Sequence, residues 1–521
     1  KTVEYPEIPI HYFGRETARL YPHQLAIYSV QDERKYSYLE FMHQCDKMAA
    51  GLKALGVKKG DGIGVYMANS PEFIFTVYGI SLNGAVIIPI NPMLKAPDIE
   101  HIIKDSTILK TIIYSSIFHP IVEQVKQKVE IENLIVSGEK IPGTISLEEL
   151  IEQSPAEPPQ VDINPKEDLC VLLYTGGTTG APKGVMISHY NLTSNVLQMA
   201  ASEPEERAQE VNGAVLTVLP MCHSFGFSQV QLNLAMGSLM ILNHGFDPPE
   251  VMGLIEKYKA VSFVGIPLMY AMLVNDPNFG KYDMSSLRMV ISGAAPLPIE
   301  LNNRWKKATG MDVRQGYGLS ETSPTTHINS PWLETAGDSI GVPVVDTDAR
   351  IVDPEDKTTE VGPGEVGELL IKGPQVMHGY WRNPEKTAEA LKDGWLYTGD
   401  LAFMDEKGNF YIAGRQSDMI KYKGYKVLPD EVENSLYKHP AVLECAVLGV
   451  PDPDIGETIK AFVVLRDEYK GKVTEDEIRE WARVEMAGYK WPRIVEFIDQ
   501  VPRTAVGKVF RRALREGEKD I

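Results

Sequence analysis

The sequence predicts an α/β protein in which a long N-terminal part built on two sheets is followed by a small α+β part. Apolar, strand-like stretches alternate with helical stretches up to about residue 330, which is typical of parallel sheets covered by helices on both faces. From about residue 335, short strands are separated by Pro and Gly turns, which favours a small antiparallel barrel or ribbon. After Arg415 the pattern changes again, and the tail is predicted to be a compact α+β domain.

The first sheet is predicted from residues 25–136. We expect strands at 25–30, 63–67, 84–89, 111–114 and 133–136, with helices at 38–55 and 73–82. The helix at 38–55 is amphipathic and is followed by Gly56, a common helix stop. Residues 150–167 are acidic and rich in proline, and we interpret them as a linker.

The second sheet is predicted from residues 190–330. We expect strands at 215–219, 239–242, 261–264 and 287–291, with helices at 226–236 and 249–258. Duplication of the first sheet is an open interpretation, because no sequence repeat supports it. Farther along, short strands are expected at 349–352, 367–371 and 410–412. In the tail, the segment 474–477 reads Thr-Glu-Asp-Glu, a capping box that opens a helix ending at Glu485.

Composition excludes several classes of protein. The net charge of the 521 residues is −19, which argues against a nucleic-acid binder but allows ATP or CoA, since these need only local positive groups. No apolar stretch approaches the ~20 residues of a membrane-spanning helix.

The four cysteines are scattered without metal-ligand or disulfide spacing, which favours a reducing compartment and a cytoplasmic location. The chain begins at Lys1, so a removed targeting segment is an open alternative. Peripheral membrane contact and a homodimer are also left open.

One glycine-rich stretch has the composition of a phosphate-binding loop. It begins after an apolar run, ends on Lys183, and combines small and hydroxyl-bearing residues: Thr175, Gly176, Gly177, Thr178, Thr179 and Gly180. Glycines let successive backbone N–H groups turn toward one centre, while threonine hydroxyls and Lys183 add donors and charge. It differs from the Walker loop, because Pro182 precedes Lys183 and Gly184 follows it. We predict a polyphosphate site, with a plain surface turn as the alternative.

Three further segments are polar or small at the ends of predicted strands. The residues Ser-Gly-Ala-Ala-Pro at 292–296 would let a flat ring lie against the backbone. In the segment 315–322, Tyr317 would stack on a base and Glu321 would hold Mg²⁺ beside phosphate oxygens. Asp400, in a Tyr-Thr-Gly-Asp turn, would accept hydrogen bonds from ribose hydroxyls. Close packing and solvated turns are the alternatives for each segment taken alone.

Taken together, these motifs resemble the adenylate-forming superfamily of acyl-CoA synthetases, aryl-CoA ligases, adenylation domains and beetle luciferases. The matching elements occur in order along the chain: YTGGTTGAPKGV, PMCHSFG, SGAAPLP, QGYGLSET, YTGDL, AGRQSDMIKYKGYKVLPDEVE and PRTAVGKVFRRALR. Each is weak to moderate alone, but seven in register make chance a poor explanation. The resemblance covers essentially the whole chain.

The resemblance implies a fold and a two-step reaction. A large domain, 1–415, would contain two α/β sheets and a small β-barrel at about 335–415, and a small mobile α+β domain would occupy 416–521. A carboxylate would first attack the α-phosphate of Mg·ATP and give an acyl-adenylate and pyrophosphate. The thiol of CoA would then displace AMP. This chemistry needs charge neutralisation and in-line positioning more than covalent help.

Carried over position by position, the resemblance assigns the nucleotide contacts. The loop 175–183 would cradle the β- and γ-phosphates, Asp400 would accept from the ribose, and Arg415 would assist there. The full set that would contact AMP is Gly293, Ala294, Ala295, Gln315, Gly316, Tyr317, Gly318, Thr322, Asp400 and Arg415.

The resemblance also assigns catalytic groups. Glu321 would bind Mg²⁺ and Thr322 the α-phosphate. Lys508 would bridge the acid carboxylate and the α-phosphate; taken alone it has the sequence context of a solvated surface lysine. His223 lies in the element that closes over the acyl group in relatives, and a partly buried structural histidine is the alternative. The neighbouring Cys222 is disfavoured as a nucleophile, because adjacent side chains usually point apart.

Further assignments concern CoA and the hinge. Lys421, Lys423 and Gly424 match positions that touch ligand when the small domain swings, and a solvated lysine face is the alternative. The hinge position is Ser417 here, where relatives commonly have Asp or Lys, so rotation is expected without a charge that holds one pose. Some plant relatives use a lysine toward CoA where this chain has Gly245, which suggests that contacts move to the tail arginines 511 and 512.

The acid is predicted to be a medium- or long-chain fatty acid. No acidic residue occurs in 220–234 to pair with a substrate ammonium, and an unpaired buried ammonium would be very costly, so amino acids are disfavoured. The segments 225–236, 265–272 and 293–297 are rich in Phe, Leu, Met and Ala. An aryl acid such as a cinnamate is the second candidate. The sequence also leaves open a luciferase-like oxygenase, an enzyme that loads a carrier protein, and a non-enzymatic nucleotide-binding protein.

Overall fold

The computed structural model describes residues 2–175, 182–202, 213–329, 337–452, 455–504 and 508–517, apart from the side chains of residues 512 and 516. The chain divides into two compact units. The first unit comprises Lys1–Gly337, Gly341–Asp348 and Lys372–Leu396, and the second comprises Asp338–Ile340, Ala349–Ile371 and Tyr397–Ile521. The second unit therefore contains strands on both sides of residue 415. The predicted domain boundary at 415/416 stays a prediction.

The first 202 residues alternate strands and helices, as predicted. In chain order these are α1 (His11–Leu20), β1 (Leu25–Ser29), β2 (Lys35–Ser37), α2 (Tyr38–Ala54), β3 (Gly62–Tyr66), α3 (Pro71–Leu82), β4 (Val86–Pro89), α4 (Ala96–Ser106), β5 (Leu109–Ser115), α5 (His119–Lys126), β6 (Asn133–Ser137), β7 (Ile145–Ser146), α6 (Leu147–Gln153), β8 (Leu169–Thr175), β9 (Lys183–Ser188) and α7 (His189–Ser202).

The following residues continue the alternation and then change to short strands. They form β10 (Ala214–Thr217), α8 (Ser224–Ala235), β11 (Leu239–Leu242), α9 (Pro248–Tyr258), β12 (Ser262–Gly265), α10 (Pro267–Asn275), β13 (Met289–Ser292), α11 (Ile299–Thr309), β14 (Arg314–Gly318), β15 (Thr325–Ile328), β16 (Val342–Pro343), β17 (Asp348–Val352), β18 (Gly367–Lys372), β19 (Gly379–Tyr380), α12 (Pro384–Ala390), β20 (Leu391–Lys392), β21 (Trp395–Met404) and β22 (Phe410–Arg415).

The tail is α+β, as predicted. Its elements are β23 (Ile420–Tyr422), β24 (Tyr425–Val427), α13 (Pro429–Leu436), β25 (Val442–Asp452), β26 (Gly456–Leu465), α14 (Glu475–Glu485), β27 (Ile494–Phe497) and α15 (Arg511–Glu516). The predicted capping box is present at the start of α14, where the Thr474 side chain accepts from the Glu477 N–H and Glu477 reaches back.

The first unit is built on two sheets. The eight-stranded sheet has the order β19-β9-β8-β4-β3-β5-β6-β7, and the nine-stranded sheet has the order β16-β15-β14-β13-β12-β10-β11-β1-β2. The strands β8-β4-β3-β5-β6 and β13-β12-β10-β11-β1 run parallel within their sheets. Parallel strands buried on both faces account for their continuous apolar sequences.

The assignment of residues 25–30 to the first sheet is wrong. β1 pairs in parallel with β11 of the nine-stranded sheet, in the register Ile27↔Met240. It is followed by the antiparallel edge strand β2 and not by a crossover helix. α2 then begins after a capping box formed by Ser37 and Glu40, and leads into the eight-stranded sheet. The short length of β2 concealed this switch in the sequence pattern.

The second unit contains a ribbon and a mixed sheet. The ribbon includes the antiparallel pair β21–β22, in which Asp400 lies opposite Arg415. The mixed sheet has the order β24-β23-β26-β25, with β27 parallel to β26. Across the described ranges of the chain, no helix is both long enough and apolar enough to cross a bilayer.

Candidate active site

The predicted phosphate loop lies at the turn of the β8–β9 hairpin in the first unit. Thr175 at the end of β8 is directly opposite Lys183 at the start of β9, so both ends of the loop are held together. Gly184 allows close packing, because a Cβ there would lie 2.9 Å from Leu172 Cδ1 and 3.2 Å from Trp381 Cβ. The predicted ligands at 176–180 lie outside the described residues, and their role stays a prediction.

Tyr380 connects the loop lysine with the predicted magnesium ligand. The Lys183 Nζ lies 4.5 Å from the centroid of the Tyr380 ring. The Tyr380 hydroxyl donates to Glu321 Oε1 at 2.9 Å. One side chain thus contacts both charged groups that the motifs assign to Mg·ATP, on its face and at its edge.

The backbone of residues 377–381, which we call the bridging segment, makes the same connection. Met377 N–H donates to the Glu321 carbonyl at 2.9 Å. On the other side, Gly379 and Tyr380 pair antiparallel with Met186 and Val185 of β9. Residues 183–186 and Glu321, far apart in sequence, are therefore held by one short strand. Sequence analysis missed this segment, because it carries no motif and its role depends on strand pairing.

Gln315 fixes the predicted adenine-lining region from within. Its Oε1 accepts from the Leu297 N–H at 2.8 Å, which ties β14 to the end of the Ser-Gly-Ala-Ala-Pro segment. The Tyr317 ring packs edge-on against His327 at 5.9 Å. Gly318 is needed here, since a Cβ would lie 2.1 Å from the Pro324 carbonyl oxygen.

The two hydroxyls beside Glu321 have different environments. Thr322 is fully buried, and its single O–H is shared between the carbonyl oxygens of Leu319 and Pro324. That hydroxyl therefore holds the turn, and contact with an α-phosphate, as predicted, would require it to leave both partners. Ser320 is partly exposed, and its Oγ lies 3.3 Å from Ser224 Oγ. The geometry favours Ser320 as the hydroxyl available to a phosphate.

His223 lies at the start of α8, at the turn predicted to border the acyl group. Its N–H donates to the Pro220 carbonyl at 3.2 Å, and its carbonyl accepts from Phe227 N at 2.8 Å. Gly226 makes this turn possible, because a Cβ there would lie 2.2 Å from the Pro220 oxygen. Burial raises the pKa of the Cys222 thiol to about 12, which agrees with the expectation that it is not a nucleophile.

The small residues after β13, at 292–296, contact helix α8. A Cβ at Gly293 would lie 2.9 Å from Phe225 Cε1, so only glycine allows this ring to approach. Ala294 has a positive φ of 68°. The Ser-Gly-Ala-Ala-Pro segment is therefore shaped by packing on one side, while Ala294 and Ala295 are partly exposed on the other.

Helix α7 holds the Glu321 region through buried amides on one face. Asn195 Nδ2 donates to the Thr325 carbonyl at 2.7 Å, and Thr325 N–H donates to Asn195 Oδ1 at 3.0 Å. One turn earlier, Asn191 Nδ2 donates to the carbonyls of residues 374 and 376 at 2.8 and 3.0 Å. Residues at i and i+4 share a helix face. This face thus fixes both the segment after Glu321 and the start of the bridging segment.

In the second unit, Asp400 and Arg415, both predicted to contact the ribose, form an ion pair; the ribose contact itself stays a prediction. Arg415 Nε lies 2.9 Å from Asp400 Oδ1, and the Asp400 carboxylate is only 5% exposed against 42% for Arg415. The Asp400 N–H donates to Thr398 Oγ1 at 3.1 Å. A buried carboxylate held by an ion pair has a fixed orientation, which suits an acceptor for ribose hydroxyls.

The predicted CoA residues lie on the β23–β24 hairpin. Lys423 and Gly424 form its two-residue turn, with φ values of 48° and 83°. Positive φ at both positions is the turn that fits the twist of a hairpin. The Lys421 N–H donates to Glu457 Oε2 at 2.7 Å, and all three residues are exposed. Contact with CoA stays a prediction.

Lys508 and Ser417 lie elsewhere in the second unit. Lys508 is exposed, and its carbonyl accepts from the Thr504 N–H at 2.8 Å. Ser417 is in a short 3₁₀ turn, Gln416–Asp418, directly after β22. A short turn between two sheets agrees with a pivot, which stays a prediction.

Arg511, a predicted CoA contact, pairs with three carboxylates, and its contact with CoA stays a prediction. Its guanidinium lies 2.7 Å from Glu433 Oε1, 3.0 Å from Asp430 Oδ1 and 3.6 Å from Asp418 Oδ2. Burial and the nearby Glu433 carboxylate raise the pKa of Asp430 to about 7. A guanidinium shared among these carboxylates ties α15 to Asp418 and to α13. The Arg512 side chain lies outside the described residues.

Glu321 would be one carboxylate ligand for Mg²⁺, and phosphate oxygens and water would have to supply the other ligands. In the described part of the chain no group of three or more His, Cys, Asp or Glu side chains is arranged to hold a metal ion. Glu321 has two carboxylate oxygens, and Tyr380 occupies one lone-pair position on Oε1. Mg²⁺ typically uses one or two protein carboxylates and completes its coordination with substrate phosphates and water. The residues present fit an ion that arrives with ATP.

Asn195→Ala should lower the free energy of unfolding of the first unit by about 2–4 kcal/mol, because it leaves the buried N–H and carbonyl of Thr325 without these partners. Urea unfolding measures the difference. Asn303→Ala is the matched control, since Asn303 is exposed on α11 and a surface substitution changes stability by about 0.5 kcal/mol or less. Equal stability of the two variants would contradict a stabilising role of the hydrogen bonds between Asn195 and Thr325.

Comparison with known proteins agrees with this geometry. The chain matches the model of the AMP-binding enzyme family over residues 14–381 and that of the AMP-binding enzyme C-terminal domain over residues 431–508. A long-chain-fatty-acid–CoA ligase of Bacillus subtilis (strain 168) is 38% identical over 522 residues, covering 94% of this chain and 91% of that protein. A feruloyl-CoA synthase of Amycolatopsis sp is 36% identical over 504 residues, covering 96% of both chains. The crystal structure of an anthranilate CoA ligase in complex with anthranoyl-AMP superposes with a TM-score of 0.89 at 30% identity, covering 99% of this chain and 98% of that chain. The chain therefore belongs to the AMP-binding enzyme family of adenylate-forming enzymes.

Proposed function

We propose that this protein is an ATP-dependent fatty-acid–CoA ligase that acts through an acyl-adenylate and releases AMP and pyrophosphate. The observation that carries the proposal is the contact of one side chain, Tyr380, with Lys183 at its ring face and with Glu321 at its hydroxyl. A cation and a carboxylate held apart can bind the phosphates and the magnesium ion of the same nucleotide.

In the first half-reaction, a carboxylate oxygen of the acid attacks the α-phosphorus. The bond from the α-phosphorus to the bridging oxygen breaks, and the electron pair leaves with pyrophosphate. Lys183 and the loop 175–180 stabilise the charge on the β- and γ-phosphates, and Glu321 holds Mg²⁺. Ser320 donates to the α-phosphate, in place of Thr322. Such preorganised charges contribute most where charge develops in the transition state.

The motif assignments supply the contacts to adenosine and to the α-phosphate. Residues 293–295 and 315–318 line the adenine, and Asp400 with Arg415 binds the ribose. Lys508 bridges the acid carboxylate and the α-phosphate. Its ammonium neutralises the charge of two anions that must approach each other, which is the main barrier to this step.

In the second half-reaction, the thiolate of CoA attacks the acyl carbon. The carbon–oxygen bond to AMP breaks, and AMP leaves with that oxygen. Residues 416–521 rotate about Ser417 between the two steps, so that Lys421, Lys423 and Gly424 replace Lys508 near the ligand. His223 borders the acyl carbonyl at the start of α8.

Two features favour an alkyl acid. Helix α8 (Ser224–Ala235) contains no acidic residue, and Phe227, Val230, Leu232 and Leu234 on it are buried. An ammonium-bearing acid would have no counter-ion on this element. The identity with a long-chain-fatty-acid–CoA ligase supports the same conclusion.

An aryl acid is the second candidate. The identity with a feruloyl-CoA synthase over 96% of the chain favours it, as does the Phe225 ring packed against Gly293 beside the predicted nucleotide. Loading of a carrier protein in place of CoA, a cytoplasmic location and a homodimer also stay predictions.

The experiment that tests this function is acid-dependent AMP release from Mg·ATP, with and without CoA. We expect CoA-stimulated turnover with octanoate or palmitate, and little with acetate, because only a long alkyl chain buries enough apolar surface, at about 0.8 kcal/mol per CH₂. Turnover with only benzoate and 4-coumarate would show that the substrate is an aryl acid and not a fatty acid. Adenylate that CoA does not release would contradict the ligase.

Lys508→Ala should slow acyl-adenylate formation by about 10²–10⁴-fold, the scale of losing one preorganised charge contact. Thioester formation from supplied acyl-AMP should change by less than about threefold, since Lys508 has then left the site. Lys519→Ala, in the same tail, is the control. Equal losses in both half-reactions would refute the assigned role.

A further inference from the structure

Tyr380 is not among the residues that the motifs assign, yet it contacts two of them. Its ring face carries the Lys183 ammonium, with Nζ 4.5 Å from the centroid, and its hydroxyl donates to Glu321 Oε1 at 2.9 Å. The side chain is 9% exposed and belongs to the largest apolar cluster of the first unit. It is therefore placed to act on both charges at once.

The position of the ring is fixed by its backbone. Tyr380 pairs with Val185 on β9, and its N–H donates to Thr387 Oγ1 of α12 at 2.9 Å. Gly379 has a φ of 135°, and a Cβ there would lie 2.6 Å from Thr387 Cγ2. Helix α12 thus holds the bridging segment against β9, and only glycine fits at the contact.

Lys183 and Glu321 contact the same Tyr380 side chain, and opposite charges separated by one side chain attract each other. No ion pair between Lys183 and Glu321 occurs in the described structure; each instead contacts Tyr380. A cation–π contact is weaker than a charge-assisted hydrogen bond to a carboxylate. Phosphate oxygens can therefore displace the ring from the ammonium, while the hydroxyl continues to orient the carboxylate.

We propose that Tyr380 is a positioning residue that keeps Lys183 and Glu321 from neutralising each other, so that Lys183 is available to phosphate and Glu321 to Mg²⁺. The hydroxyl orients the Glu321 carboxylate, and the ring face holds the ammonium until ATP binds. This inference rests on the proposed function, because it assumes that Mg·ATP binds at these two groups.

The test is ATP binding by equilibrium dialysis over a series of Mg²⁺ concentrations, without acid or CoA. Tyr380→Phe keeps the ring and removes the hydroxyl. We expect the Mg²⁺ concentration for half-maximal ATP binding to rise about 10-fold, the scale of one hydrogen bond to a charged group. ATP binding without Mg²⁺ should change by less than about twofold, because the ring still holds the ammonium. Tyr380→Leu removes the ring as well, and should weaken ATP binding both with and without Mg²⁺.

Two controls separate positioning from packing. Tyr5→Phe removes a hydroxyl that donates to Asp346 Oδ2 at 2.7 Å in the same unit, and should leave the Mg²⁺ requirement unchanged. In the Glu321→Gln background, Tyr380→Phe should have no further effect on the Mg²⁺ requirement. A wild-type Mg²⁺ requirement in Tyr380→Phe, or an undiminished effect in the Glu321→Gln background, would overturn the inference.

The outcomes also separate this inference from the proposed function. If the protein binds ATP with the expected Mg²⁺ shifts but forms no thioester, the role of Tyr380 is supported and the ligase function is contradicted. If the protein is a ligase but its Tyr380→Phe variant keeps the wild-type Mg²⁺ requirement, only the role of Tyr380 is contradicted. Failure of the wild-type protein to bind ATP would overturn both.

Discussion

The site in the first unit depends on one antiparallel pairing, that of β19 with β9. This pairing sets Tyr380 opposite Val185, two residues from Lys183, while the neighbouring Met377 N–H holds the Glu321 carbonyl. Backbone hydrogen bonds fix these positions more strictly than side-chain contacts do, because a register shift of one residue would reverse the direction of every side chain. The two ends of the glycine-rich loop, Thr175 and Lys183, are thereby attached to a fixed frame.

Buried amides support this frame from helix α7. Asn191 bonds to the carbonyls of residues 374 and 376, and Asn195 bonds to Thr325, the first residue of β15, where the pairing with β14 is irregular. Irregular buried backbone needs such partners, since an unpaired buried N–H or carbonyl is costly. The second unit uses charge for a similar purpose, because Arg511 joins the tail helix to carboxylates at Asp418, Asp430 and Glu433.

Sequence reasoning succeeded where the information is local. The alternation of strands and helices and the α14 capping box could be predicted from neighbouring residues. The roles assigned to the Lys183, Glu321 and Asp400 motifs stay predictions. Sequence reasoning failed where the answer depends on distant pairing. β1 joins the far sheet, and Tyr380 reaches Glu321 across 59 residues. The structural partners of polar residues also could not be predicted, because nothing local shows that the Thr322 hydroxyl bonds to its own turn or that Arg511 pairs with carboxylates of the tail.

The measurement that tests the central claim most directly follows the oxygen of the acid. If a carboxylate oxygen attacks the α-phosphorus and CoA later attacks the acyl carbon, that oxygen stays on AMP. With a carboxylate labelled with ¹⁸O, we predict AMP that carries one ¹⁸O atom and unlabelled pyrophosphate, detected by mass spectrometry. Label in inorganic phosphate, with ADP as the nucleotide product, would contradict the acyl-adenylate and the roles of the residues assigned to it.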